Sequence, residues 1–204
     1  MSDRDSSGIE RYRALLRVAE AIASHSDLSA LVQDLARLLP LVVPVNFVGL
    51  SLYDSQRGVM RLQVLRANVP AEIIGGHESD PQDTPAGLVW ETQQPLLLND
   101  LPTERRWPKV IELMCEDGVR SCCLVPLTSP TQRLGSLEFS SLEQSAYSTS
   151  DVELMQQVGR QVAVAVENVL NREAAAASQR DVERQRDRFS LLLRMTNSMA
   201  STLD

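Results

Sequence analysis

The side chains with the most chemistry to offer are few. Cysteines stand at 115, 122 and 123, histidines at 25 and 77, and Lys109 is the only lysine. An odd cysteine count with the adjacent pair Cys122-Cys123 argues against a disulfide framework and fits a reducing cytoplasm. There is no Cys-x-x-Cys or His-x-Glu metal spacing, no Gly-rich phosphate loop and no Gly-x-Ser-x-Gly elbow in the chain. Free cysteines of this kind pack as small hydrophobes, and His25 and His77, in a helix break and a loop, are expected to be solvated. Two charged residues carry more. Glu138 falls in the middle of a strand pattern, where burial without a partner is costly. Arg120 opens the neighbouring strand, placed to pair with Glu138 or to clamp an anionic ligand bidentately; two solvated side chains are the plainer alternative. A binder rather than an enzyme is expected, with no cofactor and no metal.

Strand alternation says which residues accompany Glu138. In the run 46–53, Val48, Leu50 and Leu52 share one face, and Phe47, Gly49, Ser51 and Tyr53 the other. In the last strand Leu137 and Phe139 are opposed by Ser136, Glu138 and Ser140. The aliphatic faces suit packing beneath long helices. The opposite faces are small and polar, which makes a poor core and a suitable cavity wall with a few placed polar groups. The alternative is a half-exposed face wetted by water.

The elements that must position these faces follow from periodicity. Ile9, Tyr12, Leu15, Leu16, Ala19 and Ile22 recur at helical steps, after a polar start at 1–8 expected to be disordered. A break at Ser24-His25-Ser26 precedes Asp27, which can cap a second helix with the stripe Leu28, Leu31, Leu35 and Leu38, ended by Pro40 and Pro44. A hairpin is expected from 46–53 and 59–66, then a loop over 68–83 containing Gly75-Gly76 and Pro81. A short helix at 88–92 leads to a strand at 95–98, and a second runs from Pro108 to Glu116, stopping at Gly118. Strands at 121–127 and 134–142 follow, joined by a turn at Pro130.

Ser148, Thr149, Ser150 and Asp151 offer an N-cap, with Glu153 at capping-box spacing from Ser150, to a long helix whose buried stripe is Leu154, Val158, Val162, Ala165, Val166, Val169 and Leu170. Past Asn171 the stripe weakens, so 172–187 reads as a projecting connector helix. Arg11-Tyr12-Arg13-Ala14-Leu15-Leu16-Arg17-Val18 is echoed, at one constant offset, by Arg188-Phe189-Ser190-Leu191-Leu192-Leu193-Arg194-Met195. Residues 188–204 therefore read as the start of a second copy of the domain that occupies 9–171.

Composition bounds the function. With 204 residues, 43% hydrophobic and 23% charged, the chain can build one sizeable core, drawn from aliphatics because aromatics make up only 4%. A net charge of −7 disfavours nucleic acid and anionic membrane surfaces. No signal peptide is apparent at the start, and no apolar run reaches the ~18 residues of a spanning helix. A cytoplasmic location is expected.

Four motifs in order resemble the GAF family. Gly87-Leu88-Val89-Trp90-Glu91-Thr92 with Pro95 to Asp100 is similar to its helix-"ET"-Pro-strand-"ND" pattern. Val119-Arg120-Ser121 to Val125-Pro126-Leu127, then Leu134-Gly135-Ser136-Leu137-Glu138-Phe139, resembles its central strand pair, and Tyr147-Ser148 with Asp151, Leu154 and 165–168 its closing helix. The resemblance implies an α+β fold. Its central antiparallel sheet would carry the terminal helices on one face, with short helices and loops closing a pocket on the other. The long last helix would continue out of the domain as part of a parallel homodimer. Within the family the tandem arrangement is most similar to the amino-terminal sensor units of formate-hydrogenlyase-activator-type bacterial transcription regulators. The function so implied is regulatory sensing of a small molecule, relayed through that helix. The expected site is Phe47, Gly49, Ser51, Trp90, Asp100, Trp107, Arg120, Cys122, Glu138 and Ser140, with Trp90, Asp100 and Trp107 near its rim.

The same resemblance limits sharper readings. Cys122 stands four residues before Pro126, the spacing at which nitric-oxide-sensing relatives hold a non-haem iron, but Ser140 occupies the place of the partner carboxylate. Bilin and haem attachment lack a suitable Cys-His or axial ligand, and the Asn-Lys signature of cyclic-nucleotide binders is absent. A dimerisation and relay module without ligand is the alternative. A cysteine redox enzyme, like the family's methionine-sulfoxide reductase, is a distant one, because Gly87-Leu88-Val89-Trp90 contains no cysteine.

Overall fold

The structure, a computed structural model, describes residues 27–66 and 74–200. The expected disordered start, the helix from Ile9 to Ile22, the Ser24–Ser26 break and residues 201–204 lie outside the described residues. The chain enters through α1 (Leu28–Leu38), capped by Asp27, whose Oδ1 accepts from the Ala30 amide at 2.8 Å. Pro40 does not end the chain's helical course at once: a 3-10 turn, Leu39–Leu41, follows, because proline is tolerated in a first turn that needs no amide donor.

Strands β1 (Phe47–Asp54) and β2 (Val59–Arg66) form the expected hairpin. Asp54 closes it by accepting from the amides of Gln56 and Arg57, and Gly58 takes the left-handed conformation at φ +69°. The loop expected over 68–83 is corrected in its second part. Ile74–Ser79 form β3, an antiparallel edge strand on β2 with a register shift between Leu62 and Gln63, and Pro81–Asp83 form a 3-10 turn. An edge strand pairs on one side only and packs few side chains, so Gly75-Gly76 shows no periodicity and is still compatible with pairing.

Next come α2 (Pro85–Thr92), β4 (Leu96–Leu98) and α3 (Pro108–Glu116). Helix α3 stops where Gly118, at φ +86°, lets the Val119 amide reach the Met114 carbonyl at 3.0 Å. Strands β5 (Ser121–Thr128) and β6 (Arg133–Ser141) complete a six-stranded antiparallel sheet in the order β3-β2-β1-β6-β5-β4. The last helix, α4 (Thr149–Ala200), is continuous over 52 residues.

Of the caps offered at 148–151 α4 uses Ser148, and the expected box of Ser150 with Glu153 is corrected. Ser148 and Asp151 form the box: the Ser148 amide donates to Asp151 Oδ2 at 2.9 Å, and the Asp151 amide donates back to Ser148 Oγ at 3.3 Å. The buried stripe holds at Val158, Val162, Ala165, Val166 and Val169; at its start Met155 is sealed in place of Leu154, which is half-buried like Leu170, and Ala163 is sealed as well.

Two cores flank the sheet. On one face Val48, Leu50, Cys123, Val125, Leu137 and Phe139 pack beneath α1 and α4. On the other, Phe47, Met60, Cys122 and Leu124 meet Ala86 and Val89 of α2, Ile111 of α3, and Leu101 and Trp107 between these helices. The α+β layering thus puts the terminal helices on one side and the short helices on the other. Beyond Leu170, α4 has no layer left to cover, and the side chains of 171–186 are exposed. The stretch that echoes residues 11–18 lies on this helix, described there mainly by its backbone.

Candidate functional site

Antiparallel register puts directly opposed residues on the same face. Gly49 stands opposite Glu138, Ser51 opposite Ser136, and Phe47 opposite Ser140. On the far side of β6, Ser140 faces Cys122, Glu138 faces Leu124 and Ser136 faces Pro126. The small polar residues therefore form one patch at the centre of the sheet, on the side of α2 and α3.

Glu138 is the patch's only acid. Its side chain is half-buried, and Ser140 Oγ donates to its Oε1 at 2.5 Å. Burial pushes its carboxyl above the usual carboxylate range, against the lowering effect of the Ser140 hydrogen bond. Gly49 makes this placement possible, since a Cβ there would lie 3.2 Å from Glu138 Cβ and 3.5 Å from Oε2. Beside it Ser136 is sealed at 1% exposure, and its hydroxyl has no hydrogen-bond partner among the described residues.

Arg120 does not complete an ion pair with Glu138. It is exposed, and its guanidinium donates to the Val119 carbonyl at 3.4 Å. Its amide is held by the Ser141 carbonyl at the end of β6, and the long, well-hydrated side chain gains more from solvent than from a half-buried acid. Cys122 is sealed in the core, where burial first, then the nearby Glu138, raises its thiol well above the ordinary range; burial pushes Cys123 up to about 12. Among the described residues no group of three or more His, Cys, Asp or Glu is disposed to hold a metal.

The rim residues divide. Trp107 is buried rather than marginal, with Arg106 stacked 4.5 Å over its ring. Arg106 is tied to Glu104 at 2.6 Å, and this hydrogen bond, opposed by partial burial, holds the Glu104 carboxyl down at about 2. Trp90 is half-buried at the open end of α2, its Nε1 donating to the Arg133 carbonyl at 3.3 Å and its ring stacked on Tyr53, centroids 3.9 Å apart. Gln93, left-handed at φ +59°, ends α2 and hydrogen-bonds Thr128. Helix α2 is thereby fastened to the turn end of the β5–β6 hairpin, through the last residue of β5 and the first of β6. Asp100 is half-buried and offers its carbonyl to the Thr103 amide. The Tyr53–Trp90 stack went unread in the sequence, although Tyr53 shares the parity of Gly49 and Ser51.

A cleft of about 450 Å³ opens elsewhere, on the α1–α4 side at the end of β1, with Leu28, Leu52, Asp54, Arg61 and Glu173 in its wall. None of the ten expected site residues lines it. Its wall includes Asp27, the cap of α1.

Comparison with known proteins now bears on this arrangement. The profile of the GAF domain family matches residues 25–167, well over half of the chain. The chain belongs to the GAF domain family. Among curated relatives, the formate hydrogenlyase transcriptional activator of Salmonella typhimurium is 25% identical over 168 residues, covering 79% of this chain and 24% of its own length. The chain thus spans about a quarter of that relative. Among solved structures, the GAF domain of an Acinetobacter phosphoenolpyruvate-protein phosphotransferase superposes with a TM-score of 0.65 at 15% identity, covering 87% of this chain and 99% of the other. The free methionine-R-sulfoxide reductase of Neisseria meningitidis, solved with its substrate, gives 0.62 at 17%, covering 84% and 95%. At these identities both establish the GAF fold and nothing about the site. No helix among the described residues is long and apolar enough to cross a membrane.

Proposed function

We propose that this GAF domain is the sensory unit of a cytoplasmic bacterial transcription regulator, binding a small molecule over the polar patch of β1 and β6 and reporting occupancy through α4. The observation that carries the reading is Ser136: a sealed hydroxyl that, among the described residues, has no hydrogen-bond partner, beside an acid that has no ion-pair partner among them, both on the face closed by α2. Buried polar groups in a finished core are paired, and a patch left unpaired is what a ligand would complete. The likeness to a transcriptional activator supports the regulatory context.

The relay has a physical basis in the packing. A Cβ at Gly159 of α4 would lie 2.9 Å from Val125 Cγ2 on β5, so the helix sits directly on a strand whose other face carries Cys122 and Leu124. A ligand that prefers one arrangement of β5 and β6 would shift this contact, and only through such a preference can it act. The exposed run 171–186 then carries the change onward and is the proposed surface for homodimerisation.

Binding rather than catalysis is supported by the sealed thiols of Cys122 and Cys123, which are poor nucleophiles at neutral pH. A second reading, a relay module with a filled interior, is favoured by Phe47, Met60, Val89 and Leu124 crowding the same face. Native mass spectrometry of the purified chain separates the two. A small molecule that co-purifies, and is lost from Gly49→Val, is expected; a chain that carries no mass adduct and gives no interior ligand density leaves the relay module. Light scattering tests the helix: a dimer is expected, and a strict monomer at high concentration would remove the α4 interface.

A further inference from the structure

The charge of the patch, taken with the hydrogen bonds it lacks, defines what it can bind. Glu138 Oε1 is occupied by Ser140, while Oε2 has no partner among the described residues and lies beside Gly49, where no side chain intervenes. The Ser136 hydroxyl, two residues along the same face, is sealed and without a partner. Arg120, the counter-ion candidate read from the sequence, faces solvent instead. Ser140 is committed as a donor to the acid, so the open positions are a carboxylate oxygen and a serine oxygen, both able to accept. Among the described side chains an anionic ligand would meet Glu138 with no cation to offset it, inside a chain of net charge −7 whose field repels anions. Resting on the sensory reading above, we propose that the site takes a small organic cation, a primary ammonium, amidinium or guanidinium compound, with Glu138 as its counter-ion and Ser136 as a second acceptor. The head group then satisfies both open oxygens at once, and its apolar remainder lies against Phe47, Met60 and Leu124, which supply the hydrophobic wall.

The test uses the whole 204-residue chain in titration calorimetry and thermal-shift assays at fixed ionic strength. The cationic probes are butylammonium, putrescine and agmatine, and the anionic probes are butyrate, succinate and lactate. Saturable binding of at least one cation is expected, weakened tenfold or more in Glu138→Gln and several-fold in Ser136→Ala, and unchanged in Arg120→Ala. Glu138→Gln is nearly isosteric and keeps an acceptor for Ser140, so its fold can be verified by circular dichroism before it is titrated. Binding of an anion that is abolished by Arg120→Ala overturns the cation assignment and leaves the sensory reading standing. Cation binding that is indifferent to Glu138→Gln overturns it as well. Failure of every cation, alongside native mass spectra free of any adduct, overturns both.

Discussion

The two faces of the sheet are built to opposite rules. Beneath α1 and α4, Val48, Leu50, Val125, Leu137 and Phe139 are sealed against Met155, Val158, Val162 and Val166, with no charged side chain among them. On the face under α2 and α3, the same strands present Gly49, Ser51, Ser136, Glu138 and Ser140 at alternating positions. The first face gains roughly 1.5–3 kcal/mol for each large aliphatic side chain it removes from water. The second, beside its own apolar core, carries an acid with no ion pair and a hydroxyl with no hydrogen bond among the described residues, each a net cost when buried; on the first face only the Tyr147 hydroxyl is so left among them. An apolar core thus flanks the sheet on both sides, and small polar residues interrupt it at the centre of one of them.

The largest expected effect follows from that division. Phe139→Ala should destabilise the domain by about 3–5 kcal/mol, since it empties a sealed position among large neighbours. On the opposite face of the same strand, Ser136→Ala should change stability by less than about 1 kcal/mol, because it removes a hydroxyl that no described group satisfies. Urea denaturation of the two variants measures the contrast. Equal losses would mean that the polar face is also structural.

Next comes alkaline pH. Cys123 on the sealed face has its thiol pushed from 9.0 up to about 12 by burial, and Cys122 is raised too. Between these values the folded chain keeps a proton that the unfolded chain has released. Stability contributed by Cys123 is thus complete below about pH 9 and falls as pH rises towards 12, by up to about 1.4 kcal/mol per pH unit. Cys123→Ala should flatten the slope of unfolding free energy against pH in this window. An unchanged slope would show that the thiol is not held as described.

Helix α2, which covers the polar face, depends on one close approach. A Cβ at Gly87 would stand 1.9 Å from the Pro81 carbonyl oxygen, so Gly87→Ala must push α2 away from the preceding turn. A loss of about 1–3 kcal/mol is expected, with quenching of the Tyr53–Trp90 stack altered in tryptophan fluorescence. The same substitution should leave near-ultraviolet signals from the α4 side, such as Tyr147, unaffected.

Much of this arrangement was readable in the sequence because it is local. The parity of Gly49, Ser51, Ser136 and Glu138 needed only strand alternation, and α3 needed only Pro108 at its start and Gly118 past its end. Asp27 as a cap required a span of four residues. What escaped depends on distant chain. The edge strand β3 exists because β2 offers it hydrogen bonds, and nothing in Gly75-Gly76 announces that. Arg120 and Glu138 share a plausible register, yet burial of one and exposure of the other kept them apart. Trp107, expected at the rim, is drawn into the core by Ile111 and Leu101, and Tyr53 meets Trp90 only after α2 has folded over the sheet.

The smallest expected effect lies where the two faces hand over to α4. Ser148-Thr149-Ser150-Asp151 offers several caps, and Glu153 stands at the right distance from Ser150 to complete a box. The structure uses Ser148 and Asp151 instead, with reciprocal bonds of 2.9 and 3.3 Å between amides and side chains and 2.6 Å between the side chains themselves. The reason lies in the stripe: with 155, 158 and 162 turned towards β5, the first turn must start at Thr149, and Asp151 is 8% exposed while Glu153 faces solvent. Ser148→Ala should therefore cost about 1 kcal/mol, as losing an N-cap does, and Asp151→Ala a comparable amount. The double variant should lose less than the sum, because each removes the same box. Glu153→Ala should be neutral. A costly Glu153→Ala with a silent Ser148→Ala would shift the start of α4 by two residues. That shift would fray the first turn of α4 without rotating Met155, and the contact at Val125 on which the proposed relay depends would then rest on the later turns alone.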